Sequence, residues 1–192
     1  AAPMLEYIVN DFQKSRIRFG DHSIGAMVVC DSSDQAKKLF ELFNGIDNTT
    51  DIVTDDIQNY SAAAEPSGEY LAVHNGNQKK LTAALILHDV DDKLVRERNT
   101  EDFKEGKIDF LFVYNMLLTG FDAKRLKKLY IGRLIRDHNL LQTLTRVNRP
   151  YKNFRYGYVV DFADISKEFD KTNKAYFEEL QGELGDEMQH YT

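Results

Sequence analysis

An α/β fold, with a parallel sheet covered by helices on both faces, is predicted by three features of this sequence. The continuous apolar run Ile108 to Tyr114 is too short for a lone amphipathic helix and fits a strand buried on both faces. A polar turn, Thr119-Gly120-Phe121-Asp122, follows it, just past the carboxyl end of the strand, where open α/β sheets place their ligands. From Ile24 onward strand-like and helix-like segments alternate, and repeated βα units require a parallel sheet with both faces covered. The 192 residues, 42% of them hydrophobic, are enough for one domain with a full core.

Taken in order, residues 1–19 carry Pro3, favourable in a first helical turn, and place Leu5, Ile8, Val9 and Phe12 at helical spacing. That helix should end before Gly20. The chain opens Ala-Ala-Pro and enters structure at once, as a piece of a longer protein would. Ile24 to Cys30 reads as a buried strand, and Ser32 with Gln35 has capping-box spacing at the start of a helix bearing Ala36, Leu39, Phe40 and Phe43. Residues 46–80 are the least regular and read as an insertion or long loop, with Asn75-Gly76 as a possible hairpin turn. Ala83 to Leu87 should be a second core strand and Asp91 to Lys104 a charged helix leading into the central strand. Lys128 to Ile131 and Tyr156 to Phe162 supply two further short strands. From Ser166 the chain turns helical and acidic, with a sparse stripe of Phe169, Tyr176 and Leu180. Residues 1–165 are therefore expected to form the domain, and 166–192 a helical extension.

Composition removes several functions. No apolar run approaches the roughly eighteen residues of a membrane span. A single cysteine, Cys30, makes no internal disulfide and no Cys-based zinc site, which fits a reducing cytoplasm, and its place in an apolar run makes it core. The five histidines lack metal-ligand spacing, so no metal site is expected, and no G-x-S-x-G nucleophile turn is present. Gly106-Lys107 fails the P-loop pattern, and no Asp-Glu pair follows an apolar strand. The net charge of −6 argues against a nucleic-acid partner, but its distribution reverses that inference. Lys124 to Arg155 holds ten basic residues and one acid, for +9, and leaves −15 on the remainder. Such asymmetry predicts a focused basic surface facing phosphates.

The densest pattern is His138 to Arg149. At roughly 100° per residue, Gln142, Arg146 and Arg149 share one helix face, while Leu140, Leu144 and Val147 fall on the opposite one. Pro150 stops the helix. Paired arginines on a rigid element suit a polyphosphate, because each planar fork binds oxygens bidentately and stays charged. Spacing alone leaves a solvated basic face equally open.

Two strings bear on that choice. Gln142 to Arg149, Q-T-L-T-R-V-N-R, resembles motif VI of superfamily 2 helicases, Q-x-x-G-R-x-x-R, at the glutamine and both arginines, and Thr119-Gly120-Phe121-Asp122 resembles their motif V. The longer strings Met116 to Ala123, His138 to Gln142 and Arg146 to Tyr151 are most similar to the motor (R, or HsdR) subunit of type I restriction endonucleases. The specific match covers about residues 108 to 165, and a looser one, including a motif IV-like strand, turn and helix, reaches back to about residue 24. The sequence departs at Lys124 and Leu134, where relatives often carry proline, and at Thr145, where many helicases have glycine.

The resemblance implies the second RecA-like domain of an ATP-dependent DNA translocase, with ATP held between it and a preceding RecA-like domain that supplies the P-loop and the Mg²⁺-binding acids. It implies arginine fingers at Arg146 and Arg149, polar contacts from Gln142, and ribose contact at Asp122 beside Gly120. Thr119 with Gly120 would link nucleotide state to DNA, and Ser32 would meet a backbone phosphate. The expected partners are duplex DNA and the modification and specificity subunits of a bacterial or archaeal restriction complex. This chain alone would hydrolyse no ATP. The alternatives are half of another superfamily 2 helicase or remodeller, a nucleic-acid-binding module without catalysis, and a scaffold for other proteins.

Overall fold

The computed structural model describes residues 1–45, 80–87, 92–114 and 121–175. Helix α1 (Ala2–Phe19) begins with Pro3 in its first turn and ends at Gly20. Gly20 has φ of 61°, the left-handed cap conformation that costs a residue without Cβ least, and its amide reaches the Arg16 and Ile17 carbonyls. Strand β1 (Gly25–Val29) is followed by α2 (Ser33–Gly45), β2 (Ala83–Leu87), α3 (Lys93–Lys104), β3 (Phe110–Tyr114), β4 (Leu126–Ile131), α4 (Asp137–Val147) and β5 (Tyr158–Asp161). Residues 166–175 are helical.

The five strands form one parallel sheet in the order β2-β3-β1-β4-β5. Every residue of β1 and β4 is buried, whereas edge strand β5 alternates in burial and edge strand β2 is only partly buried at Ala83 and Leu85, as position in the sheet requires. One face packs Ala26, Val28, Phe110, Phe112 and Tyr130 against Leu5, Ile8 and Phe12 of α1 and Ala36, Leu39 and Phe43 of α2. The other packs Met27, Val29, Leu111, Val113 and Leu129 against Phe103 of α3 and Leu140 and Val147 of α4. The chain leaves β1 toward the first face. Phe121 and Ala123, which precede β4, join the core on the second face. That divergence makes the carboxyl end of β1 the topological switch point of the sheet.

A buried ion network closes the amino edge. Asp109 accepts from Arg16 at 2.5 Å and lies 3.8 Å from Arg125, while its second oxygen takes the Thr82 amide at 3.0 Å. Arg125 also donates to the carbonyls of Ser23, Phe103, Ile108 and Ile24 at 2.7 to 3.3 Å.

Four expectations shift. Strand β3 begins at Phe110, two residues late; β4 begins at Leu126, two residues early, so that Lys127 as well as Lys128 is inside it; β5 is shorter than Tyr156 to Phe162; and α4 ends at Val147, leaving Arg149 outside the helix. The last follows from Pro150, which disfavours helical backbone in the residue before it. Cys30 is fully buried, as expected. The Asn75-Gly76 turn, residues 46–79 of the expected insertion, Thr119, Gly120, Tyr176, Leu180 and the side chain of His138 lie outside the described residues.

Candidate functional site

Ser32 follows β1 at the switch point. Its Oγ accepts the Gln35 amide at 3.1 Å, and the Gln35 side chain reaches back to the Asp31 amide at 2.8 Å, a capping box displaced by one residue on its return bond. One lone pair of Ser32 is thereby occupied, and among the described residues its O–H has no acceptor. Beyond β4, the Arg133 guanidinium lies 5.8 Å from the Tyr114 ring. Since β3 and β4 flank β1, that cation spans the carboxyl end of β1.

The second group lies elsewhere. Asp122 and Arg149, 27 positions apart, form an ion pair with both side chains partly exposed. Because α4 runs back along the sheet, its last turn approaches the amino end of β4, where Lys127 binds the carbonyls of Val147 and Arg149. Asp122 is therefore not at the carboxyl end of a strand as the sequence suggests; by residues 121–125 the chain has already crossed to the amino edge. Arg146 and Gln142 lie on α4 and are half-buried, and Arg146 has no ion-pair partner among the described residues. Leu140 and Val147 anchor the opposite face, with Leu144 packed beside them and Thr143 also buried. Gln142, Arg146 and Arg149 do not form one helical row, since Arg149 projects from the turn after the helix. Thr145, in place of glycine, donates its hydroxyl to the Gln142 carbonyl at 2.9 Å.

The basic surface expected between Lys124 and Arg155 is smaller than its charge count. Arg125, Lys127 and Lys128 are buried, at 4%, 0% and 6% exposure. Arg125 belongs to the amino-edge network, and burial pulls its pKa down while Asp109 opposes the shift. Lys128 bonds Asp11 of α1 at 2.7 Å. Lys127 faces α4, and burial lowers its pKa. Sequence reading passed over these residues by treating lysine as a surface residue. The signal was nonetheless present: two adjacent lysines in an apolar strand must point to opposite faces, so a strand covered on both sides buries both.

A five-stranded parallel sheet with α1 and α2 on one face and α3 and α4 on the other is a RecA-like α/β domain. The solved structure of "Mss116p DEAD-box helicase domain 2 bound to an RNA duplex" shares this fold with a TM-score of 0.52 at 12% identity, over 84% of this chain and 50% of that one. The chain belongs to the family described as type I restriction enzyme subunit R domain 3, whose model matches residues 31–164, a span that holds Ser32, Asp122, Gln142, Arg146 and Arg149. It is 35% identical over 115 residues to the putative type I restriction enzyme MjaVIIP endonuclease subunit of Methanocaldococcus jannaschii, covering 54% of this chain and 10% of that protein. It is 40% identical over 74 residues to the type I restriction enzyme SauCOLORF180P endonuclease subunit of Staphylococcus aureus (strain COL), covering 38% of this chain and 8% of that protein. The chain thus spans at most about a tenth of the length of these curated relatives. No helix among the described residues is long and apolar enough to cross a membrane.

Proposed function

We propose that this chain is the second RecA-like motor domain of a type I restriction R subunit, which couples ATP hydrolysis to translocation and cleavage of duplex DNA. The observation that carries this reading is the pairing of Asp122 with Arg149 beside α4, next to an Arg146 with no ion-pair partner among the described residues.

The donor set fits a nucleotide. Two planar cations, one half-buried and one partly exposed, can hold polyphosphate oxygens, and Asp122 can accept from a ribose hydroxyl. The described residues contain no group of three or more His, Cys, Asp or Glu that could hold a metal. As the resemblance implies, Mg²⁺ and most of the nucleotide would be held by a preceding RecA-like domain of the same polypeptide. When bound, ATP with Mg²⁺ supplies the phosphoryl bond whose hydrolysis drives movement. Arg146 and Arg149 would place positive charge where negative charge grows during phosphoryl transfer, Gln142 would add a polar contact, and partial burial would strengthen these. As the resemblance implies, Thr119 with Gly120 would link nucleotide state to DNA contact. Ser32, whose O–H has no acceptor among the described residues, would donate to a backbone phosphate at the start of α2, aided by the amides of the helix end. Modification and specificity subunits would supply recognition of the DNA sequence.

The test is steady-state ATP turnover with DNA by the R subunit that carries this domain. Fingers supplied from a second element are worth roughly 10³ to 10⁵ in rate. Arg146→Ala with Arg149→Ala is expected to abolish DNA-dependent turnover while leaving the melting temperature within a few degrees, because Leu140 and Val147 hold α4. Near-normal turnover in the folded double variant would reduce these arginines to a basic face. The 192-residue chain alone should show no turnover.

A further inference from the structure

Lys127 is fully buried in the second position of β4, and no acidic side chain among the described residues pairs with it. Removing an ammonium from water costs several kcal/mol, and a methionine would fill the same space without that cost. The ammonium instead donates to two main-chain carbonyls, that of Val147 at 3.2 Å and that of Arg149. The first belongs to the last turn of α4, where carbonyls lack helical partners and the helix dipole favours a cation. A cap alone would stop there. The second bond reaches past the helix to the arginine that pairs with Asp122.

Neighbouring groups close the other sides of this segment. A Cβ on Gly157 would lie 2.5 Å from the Val147 carbonyl oxygen, so the returning chain presses directly on the end of α4. The Asn148 amide still bonds Leu144 O at 3.1 Å, and Pro150 fixes φ immediately after Arg149. The backbone of Arg149 is therefore fastened through its own carbonyl, from inside the sheet, rather than by belonging to a helix.

We propose that Lys127 is a positioning residue for Arg149: its buried ammonium, bonded to the Val147 and Arg149 carbonyls, fixes the turn from which the Arg149 guanidinium reaches Asp122. This rests on the motor reading for its consequence in catalysis but not for its geometry. Lys127→Met removes both donors at nearly constant volume, and Lys127→Gln keeps one amide donor for use if the first variant does not fold. In the ¹⁵N-labelled 192-residue chain, backbone order parameters at Asn148 and Arg149 should fall from about 0.85 to below about 0.6, while those at Leu140 to Thr145 stay high. In the R subunit, kcat for DNA-dependent ATP turnover should fall at least tenfold with KM for ATP within twofold, as loss of an aligned transition-state contact requires. Unchanged order at Asn148 and Arg149 in a folded variant would overturn the inference. Loosening of that turn with undiminished turnover would uphold the hold of Lys127 on Arg149 and refute instead the role of Arg149 as a finger.

Discussion

Arg125→Met tests whether the basic stretch is partly interior. In the structure the Arg125 guanidinium donates four hydrogen bonds to main-chain carbonyls, stacks 4.8 Å from the Phe103 ring and stands 3.8 Å from Asp109. Methionine restores most of the volume and none of the donors. Asp109 and the Ile24 carbonyl keep Arg16 and the Phe103 carbonyl keeps the Gly106 amide, so the loss falls mainly on the Ser23 and Ile108 carbonyls, offset by relief of the cost of burying the charge. Breaking a buried charged network by removing one partner costs about 3 to 5 kcal/mol. Domains have total stabilities of about 5 to 15 kcal/mol, so the variant should lose a large fraction. With a urea slope of about 2 kcal/mol/M the unfolding midpoint should drop by roughly 2 M. The melting temperature should fall by about 10 °C. The assay is urea unfolding of the 192-residue chain followed by far-UV circular dichroism. A residue on a solvated basic face would change stability by no more than about 0.5 kcal/mol. A midpoint shift below about 0.3 M would therefore refute the assignment of Arg125 to the interior.

Duplex DNA should bind weakly, without sequence preference, and with strong salt dependence, because the contacts available are phosphate-directed. Arg133→Gln and Arg136→Gln should each flatten the slope of log affinity against log salt by about 1, whereas Lys128→Met should leave the slope of the folded protein unchanged; fluorescence anisotropy at several salt concentrations decides this, and a strong preference for one sequence would count against the motor reading. Burial pushes the Cys30 thiol up to about 12. A raised folded pKa contributes stability that is complete below the unfolded value near 8.5 and is lost as pH rises toward the folded one. The stability of the wild type relative to Cys30→Ala should thus shrink by about 1 to 2 kcal/mol between pH 7 and pH 10; a constant difference would show that the thiol ionises freely in the folded chain.

The sequence by itself determined the elements and the family. Patterns such as Ile108 to Tyr114 and the Leu5, Ile8, Phe12 stripe report burial directly, since apolar periodicity is the imprint of the face an element presents to the core. The spacing of Gln142, Arg146 and Arg149 was equally legible, because motif strings record the identity and order of functional groups. Tertiary structure alone decided three things. It set the strand order and so put Ser32 at the switch point while carrying Asp122 to the amino edge, a matter of which strands hydrogen-bond and not of local preference. It paired Arg149 with Asp122 and held the turn after α4, where Pro150 already ends the helix, with a lysine from β4. It divided the basic stretch, which a charge count treats as uniform, into surface groups and interior ones. Whether a cation is solvated or spends its hydrogen bonds on carbonyls inside the fold depends on what packs over its strand, and for Arg125, Lys127 and Lys128 the covering groups come from distant parts of the chain.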